Sequence, residues 1–240
     1  MLPRIDTPVY EIELPLSKKS IQFRPFLVKE QKNLLMAMEA GDKESIERNV
    51  KHILNNCTIT EGIKIDNLPV VDVEYYFLQL RAKSVGEVVE NKYICNNEVD
   101  GQECGNKMDV NIDLNDIKVE RGKDVGDTIQ LTPTISIKLS YPKFSTMEKL
   151  KNDTSSVDMA FDIVAESIEY IYDGEQYYYG YETDRKELME FIESMNTEQF
   201  NKIEEFFKNL PRITKKLEFT CSKCGFQHKI DVEGLENFFG

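Results

Sequence analysis

The chain has 240 residues and carries 43 acidic against 30 basic side chains, for a net charge of -13 and an isoelectric point near 4.8. That length suffices for one large or two small cores, while the charge repels phosphate backbones and opposes the basic face by which nucleic-acid binders gain affinity. No apolar run reaches the ~20 residues of a membrane span, so a soluble protein with no membrane partner is expected.

Met1-Leu2-Pro3-Arg4-Ile5-Asp6 lacks the apolar core of a signal peptide, so a reducing compartment is expected, where cysteine pairs more often hold metal than form disulfides. From Val9 to Phe26, apolar and polar residues alternate around Pro15-Leu16-Ser17-Lys18-Lys19-Ser20, predicting a hairpin that Arg24-Pro25-Phe26 ends. Leu34, Leu35 and Met38 recur at helical spacing over Val28–Ala40, and Gly41 is the stop. A second helix is expected from Asp42, its N-cap, to Cys57, with Ile46, Val50, Ile53 and Leu54 on one face. A third spans Val70 to Lys83, lined by Val73, Phe77 and Leu80. Cys57, far from any other cysteine, reads as an ordinary core residue.

Cys95 and Cys104 follow next, with Lys92-Tyr93-Ile94 before them and Gly105 leading into Val110-Asn111-Ile112-Asp113-Leu114 behind. The same order returns near the end of the chain, where Leu217-Glu218-Phe219-Thr220 precedes Cys221-Ser-Lys-Cys224-Gly225 and Ile230-Asp231-Val232 follows. Each pair reads as strand, knuckle, strand, with glycine supplying a positive φ where the backbone folds around an ion. A two-residue gap lets both thiolates of a tight turn face one metal, and four thiolates give a structural rather than catalytic zinc because no position stays open. The expected ligands are Cys95, Cys104, Cys221 and Cys224. Eight residues separate the first pair where two to four is ordinary, and His228 is a second choice of ligand in place of Cys95 or Cys104. Arg212, Lys215 and Lys216 read as a solvated strand edge.

Between the two pairs, Thr134–Ser140 alternates as a strand that Pro142 stops, Ser145-Thr-Met-Glu148 matches a capping box, and Val157 to Tyr170 carries Phe161, Val164 and Ile168 at helical spacing. Asp173-Gly174 between aromatic runs signals a hairpin. Tyr177, Tyr178, Tyr179 and Tyr181 on its far side are expected to serve an interface or the core. Helices follow from Asp184 to Met195 and from Thr197 to Asn209, the second capped by Asn196 and Gln199. The closing Leu235-Glu236-Asn237-Phe238-Phe239-Gly240 is expected to dock on a partner or fold back on the core.

Together these elements predict an α+β fold: a split four-cysteine zinc ribbon made of two distant β-hairpins, with an N-terminal β-hairpin plus helices and a largely helical insertion. The expected regions are 1–90 for the hairpin and helices, 91–120 for the first ribbon half, 121–211 for the insertion with its tyrosine-rich hairpin, and 212–240 for the second half and tail. No glycine-rich phosphate loop, G-x-S-x-G elbow or H-E-x-x-H is present, and two histidines leave little for acid–base chemistry, so no enzyme and no small-molecule substrate are expected. The alternative is a zinc-ribbon nucleic-acid-binding regulator.

Arg24 through Lys32, Phe77 through Glu87, Glu187 through Met195, Glu198-Gln199-Phe200, Phe206-Phe207, Pro211, Cys221 to Gly225, Gly234-Leu235 and Phe238-Phe239 occur in an order that resembles the base-plate-protein family of T4-type contractile-tailed bacteriophages, named baseplate hub subunit or hub assembly protein. Members carry a short C-x-x-C in the first knuckle as well, which is expanded here. The resemblance implies a viral protein made in the host cytoplasm that helps to build the baseplate hub, either staying in the virion baseplate or acting as an assembly chaperone. Its implied partners are other baseplate or hub proteins.

Overall fold

The computed structural model describes residues 5–41, 43–149 and 156–234. In chain order the elements are β1 (Tyr10–Glu13), β2 (Ser20–Phe23), α1 (Val28–Ala40), α2 (Lys43–Cys57), α3 (Val70–Ser84), β3 (Val88–Ile94), β4 (Glu98–Val99), β5 (Gln102–Glu103), β6 (Lys107–Asp113), β7 (Lys118–Glu120), β8 (Thr128–Gln130), β9 (Ser136–Leu139), α4 (Phe144–Lys149), α5 (Ser156–Ser167), β10 (Ile168–Tyr172), β11 (Tyr177–Tyr179), α6 (Arg185–Glu193), α7 (Thr197–Lys208), β12 (Arg212–Thr220) and β13 (Gln227–Glu233). Among the described residues all strand pairs are antiparallel, and the fold is α+β. Two compact units form, one from Met1–Ile63, Val71–Glu120 and Arg212–Gly240, the other from Lys64–Val70 and Arg121–Pro211.

In the first unit the β1–β2 hairpin is pinned to α3 by Asp72, a fully buried carboxylate that accepts the Leu16 N–H at 2.8 Å and the Ser17 N–H at 2.9 Å. Buried charge is tolerated there because both donors satisfy it. Phe23 packs edge-on against Tyr76 at 5.4 Å between centroids. Glu30, 2 % exposed, receives Arg24 Nη2 at 2.8 Å and the Leu27 N–H at the start of α1. Burial pushes the Glu30 carboxyl up, but Arg24 and Leu27 outweigh it and hold it below the usual carboxylate range. Glu74 on α3 meets burial alone and is pushed up to about 7. Gly41 stops α1 in the left-handed conformation at φ 67°. The expected cap Asp42 and the closing segment 235–240 lie outside the described residues.

A second core in this unit joins α3 to the cysteine-bearing hairpins: Leu78, Ala82, Val89, Ile112, Ile213, Leu217 and Val232 are buried together. Tyr93 of β3 and Phe219 of β12 meet at 5.4 Å, so the two hairpins face each other near their tips. Cys57 is buried in the α2 end of the unit, where burial pushes its thiol up to about 11. It behaves as an inert core residue.

The second unit contains a four-stranded sheet of order β11-β10-β9-β8. Ile129, Ile137 and Ile171 of the sheet are buried with Val164, Leu188, Ile192, Ile203 and Phe206 of α5, α6 and α7. Asn196 and Gln199 form the capping box of α7, each side chain bonded to the other's backbone N–H at 2.9 Å. Two local expectations are corrected. Helix α5 stops at Ser167, and Ile168–Tyr172 is strand, because its β-branched and aromatic residues pair with β9. Helix α4 begins at Phe144, ahead of the expected Ser145 cap, where buried Phe144 donates its N–H to Leu68 O at 3.0 Å.

Candidate metal centre

The β3–β6 hairpin pairs without interruption from Val88↔Asp113 to Ile94↔Lys107, and β12–β13 from Thr214↔Glu233 to Thr220↔Gln227. Each ladder runs straight into its cysteines. At the first tip the Cys95 N–H donates to Asn106 O at 2.8 Å and the Gly105 N–H to Cys95 O at 3.0 Å; at the second, the Cys221 N–H donates to Phe226 O at 2.8 Å and the Gly225 N–H to Cys221 O at 2.9 Å. Gly105 and Gly225 have φ of 60° and 72°. The tips therefore share one backbone plan, in which Cys95 corresponds to Cys221 and Cys104 to Cys224.

The extra length of the first tip is a separate small hairpin. Strands β4 and β5 pair Glu98↔Glu103 and Val99↔Gln102 across Asp100-Gly101, both at positive φ, and the Cys104 N–H closes the base on Asn97 O at 2.8 Å. Without Glu98 to Glu103 the chain would read Cys95-Asn-Asn-Cys104-Gly105, matching Cys221-Ser-Lys-Cys224-Gly225 position for position. The unusual spacing is a finger grafted into an ordinary C-x-x-C-G knuckle.

Folding brings all four thiols together although Cys104 and Cys221 are 117 positions apart. Cys95 Sγ lies 3.6 Å from Cys224 Sγ and Cys104 Sγ 3.8 Å from Cys221 Sγ, and all four sulfurs are within 4.8 Å of one another. A disulfide would need about 2.05 Å. Four sulfurs held tetrahedrally about 2.3 Å from a zinc ion stand about 3.8 Å apart, so these separations fit that donor set. Cys95, Cys104 and Cys221 are buried, and Met108 packs against them.

Further donors surround the sulfurs. The backbone N–H groups of Asn97 and Asn106 point at Cys95 and Cys104, and those of Lys223 and Cys224 at Cys221. Asn106 Nδ2 lies 3.5 Å from Cys221 Sγ, and Asn97 Nδ2 lies 3.7 Å from Cys224 Sγ. The Cys224 N–H, working against burial and aided by Lys223, draws the Cys221 thiol down to about 6, whereas burial pushes Cys95 up to about 12. His228 stands behind Cys95 with Nε2 3.3 Å from its Sγ, stacked on Phe219 at 5.1 Å, and is not a member of the four-residue group. The side-chain contacts of Asn97 and Asn106 have no spacing signature in the sequence, since each reaches a sulfur more than a hundred residues away.

Arg212, Lys215 and Lys216, the basic cluster beside the second knuckle, face Glu233 at 3.6 Å, Asp116 at 2.9 Å and Glu120 at 3.5 Å. No helix among the described residues is long and apolar enough to cross a membrane. No curated protein and no solved structure matches the chain. A family model described as T4 bacteriophage base plate protein matches residues 7–240. With that match running from before β1 to the end of the chain, through both cysteine hairpins and everything between them, the protein belongs to the T4 bacteriophage base plate protein family.

Proposed function

We propose that the chain is a non-enzymatic component or assembly factor of the baseplate hub of a contractile-tailed phage, working through contacts with other baseplate proteins, and that Cys95, Cys104, Cys221 and Cys224 hold a structural zinc in a split ribbon. The observation that carries the metal reading is the convergence of four free thiols at tetrahedral separations from two hairpins remote in sequence. A bound zinc supplies a cross-link between the hairpins and no reactive position, because every ligand site is a cysteine. The residues of the chain do the rest: β3–β6 and β12–β13 orient the sulfurs, backbone N–H groups and the two asparagines support their negative charge, and Met108 packs against them.

The contact reading rests on family membership together with the charge pattern. A net charge of -13, and a basic cluster whose members face carboxylates, favour a protein partner over a phosphate backbone. On this reading the protein is made in the host cytoplasm and acts where the hub is built. Metal analysis of the purified chain, combined with co-purification from infected cells using antibodies to individual hub proteins, tests both halves. One zinc per chain and recovery of a hub protein are expected. Salt-sensitive retention on DNA with no hub protein recovered would favour the nucleic-acid regulator instead.

A further inference from the structure

The sheet of the second unit has two edges that are treated differently. At β8, side chains of α7 cover the rim: Lys202 Nζ reaches Gln130 O at 3.4 Å and Gln199 Nε2 reaches Leu131 O at 3.2 Å. At β11, among the described residues, the rim is left to tyrosine. The Gly180 N–H donates to Glu169 O and the Asp173 N–H to Gln176 O, a register that bonds Tyr178 inward and turns the N–H and C=O of Tyr177 and the N–H of Tyr179 away from β10. Neither lysine nor proline, the residues that ordinarily blunt an open edge, occurs in β11.

The face of this hairpin is equally unusual. Cross-strand pairs Tyr170↔Tyr179 and Tyr172↔Tyr177 put four rings on the side opposite Ile137 and Ile171, and Tyr181 extends the row 5.5 Å from Tyr179. Tyr177, Tyr179 and Tyr181 are 53 %, 41 % and 80 % exposed. One cation already sits on this surface: Lys138 Nζ lies 5.9 Å from the Tyr170 ring centre and 3.0 Å from Glu169 Oε2. Rings beside carboxylates suit ammonium and guanidinium groups. Glu175 and Glu182, both exposed, stand at the two ends of β11. In an antiparallel pairing of two copies along this edge the Glu175 end of one strand would lie beside the Glu182 end of the other and bring like charges close, which disfavours a second copy of the chain as occupant.

We propose that the tyrosine face and open edge of the β10–β11 hairpin dock an extended, lysine- or arginine-bearing segment of another protein, which adds as a strand beside β11. Backbone groups of Tyr177 and Tyr179 give the segment its register, the rings take its cationic side chains, and Glu175 and Glu182 select against acidic sequences. The inference rests on the reading of the chain as a protein that works by protein contacts.

The test uses the full chain and two labelled peptides, one alternating lysine and valine, the other glutamate and valine, followed by fluorescence anisotropy over a salt series. The lysine peptide should bind, more tightly at low salt, and Tyr177→Ser/Tyr179→Ser should weaken it about tenfold. Because these side chains are exposed, the variant should keep its far-ultraviolet dichroism. Glu175→Lys/Glu182→Lys, which leaves the rings in place, should shift the preference towards the glutamate peptide. Equal affinity for both peptides, or lysine-peptide binding unchanged in both variants, overturns the inference. A dimer in sedimentation that the tyrosine variant abolishes also overturns it, by assigning the edge to a second copy. Hub association that survives in the tyrosine variant removes this surface and leaves the broader reading standing, whereas no hub association in the unaltered chain removes that reading itself.

Discussion

Two residues lie between Cys221 and Cys224 and eight between Cys95 and Cys104, yet both hairpins end in the same pair of backbone hydrogen bonds and in a glycine of positive φ. The difference is confined to Glu98–Glu103, which folds on itself and returns the chain to Asn97. What a cysteine knuckle of this kind constrains is therefore how its backbone closes, and not how many residues separate its cysteines. An insertion is tolerated when it forms its own hairpin, because the closing bond from Cys104 to Asn97 then restores the ordinary turn.

The harshest way to break the correspondence is to remove a ligand from either tip. Cys104→Ser and Cys221→Ser should each abolish stoichiometric zinc and cost at least ~3 kcal/mol in stability, read by metal analysis and thermal melting. Cys57→Ser should leave the metal content unchanged. If one tip tolerates serine and the other does not, the two are not equivalent.

Acid titration would reverse the sign of a second effect and so must be separated from metal loss. The Glu74 carboxyl is raised from 4.5 to about 7 in the folded chain, so the fold binds this proton more tightly than the unfolded chain does. Its contribution to stability is full below about pH 4.5 and is lost as the pH rises through about 7. Glu74→Gln should therefore be more stable than the parent at pH 8 by up to ~3 kcal/mol, with the advantage gone at pH 4.5. Denaturant melts at the two pH values check this, and the variant then gives a cleaner baseline for comparing acid release of metal from the two tips.

Gly105→Ala and Gly225→Ala sharpen the comparison at smaller scale. Neither glycine has an atom within 4 Å of an added Cβ, so the cost is conformational alone, about 1 kcal/mol at each and within about 0.5 kcal/mol of each other. Asn106→Ala, which removes the amide beside Cys221, should cost less stability than either but speed zinc loss to a chelating dye several-fold. The least effect of all is expected from deleting Glu98–Glu103 and joining Asn97 to Cys104: one zinc should remain, with the melting temperature within a few degrees of the parent. Loss of the metal in that deletion would show that the finger is part of the knuckle.

Much of this architecture was readable where the signal is local. Gly41 ends α1, Asn196 and Gln199 cap α7, and Asp173-Gly174 turns the tyrosine hairpin, because each acts within a few residues of itself. Ile168 illustrates the failure: it continues a helical spacing and also starts a β-branched run, and only pairing with β9 decides for strand. Strand β7 has three residues and is defined by its remote partner β12, while β8, also three residues, is too short for a periodicity of its own beside β9. At the cysteines, spacing pointed to the four residues that converge, while the reason for the odd first spacing stood in plain view as Asp100-Gly101, the same turn signal used for the tyrosine hairpin. The asparagine side chains reach the facing sulfurs only through tertiary contact, and His228, named from its closeness to Cys224, stands beside Cys95.

X-ray absorption at the zinc edge of the purified, full-length chain tests the central claim most directly. The account predicts one ion per chain surrounded by four sulfurs at about 2.3 Å. A shell containing nitrogen or oxygen in place of any of those sulfurs, or a folded chain that carries no ion, would contradict it.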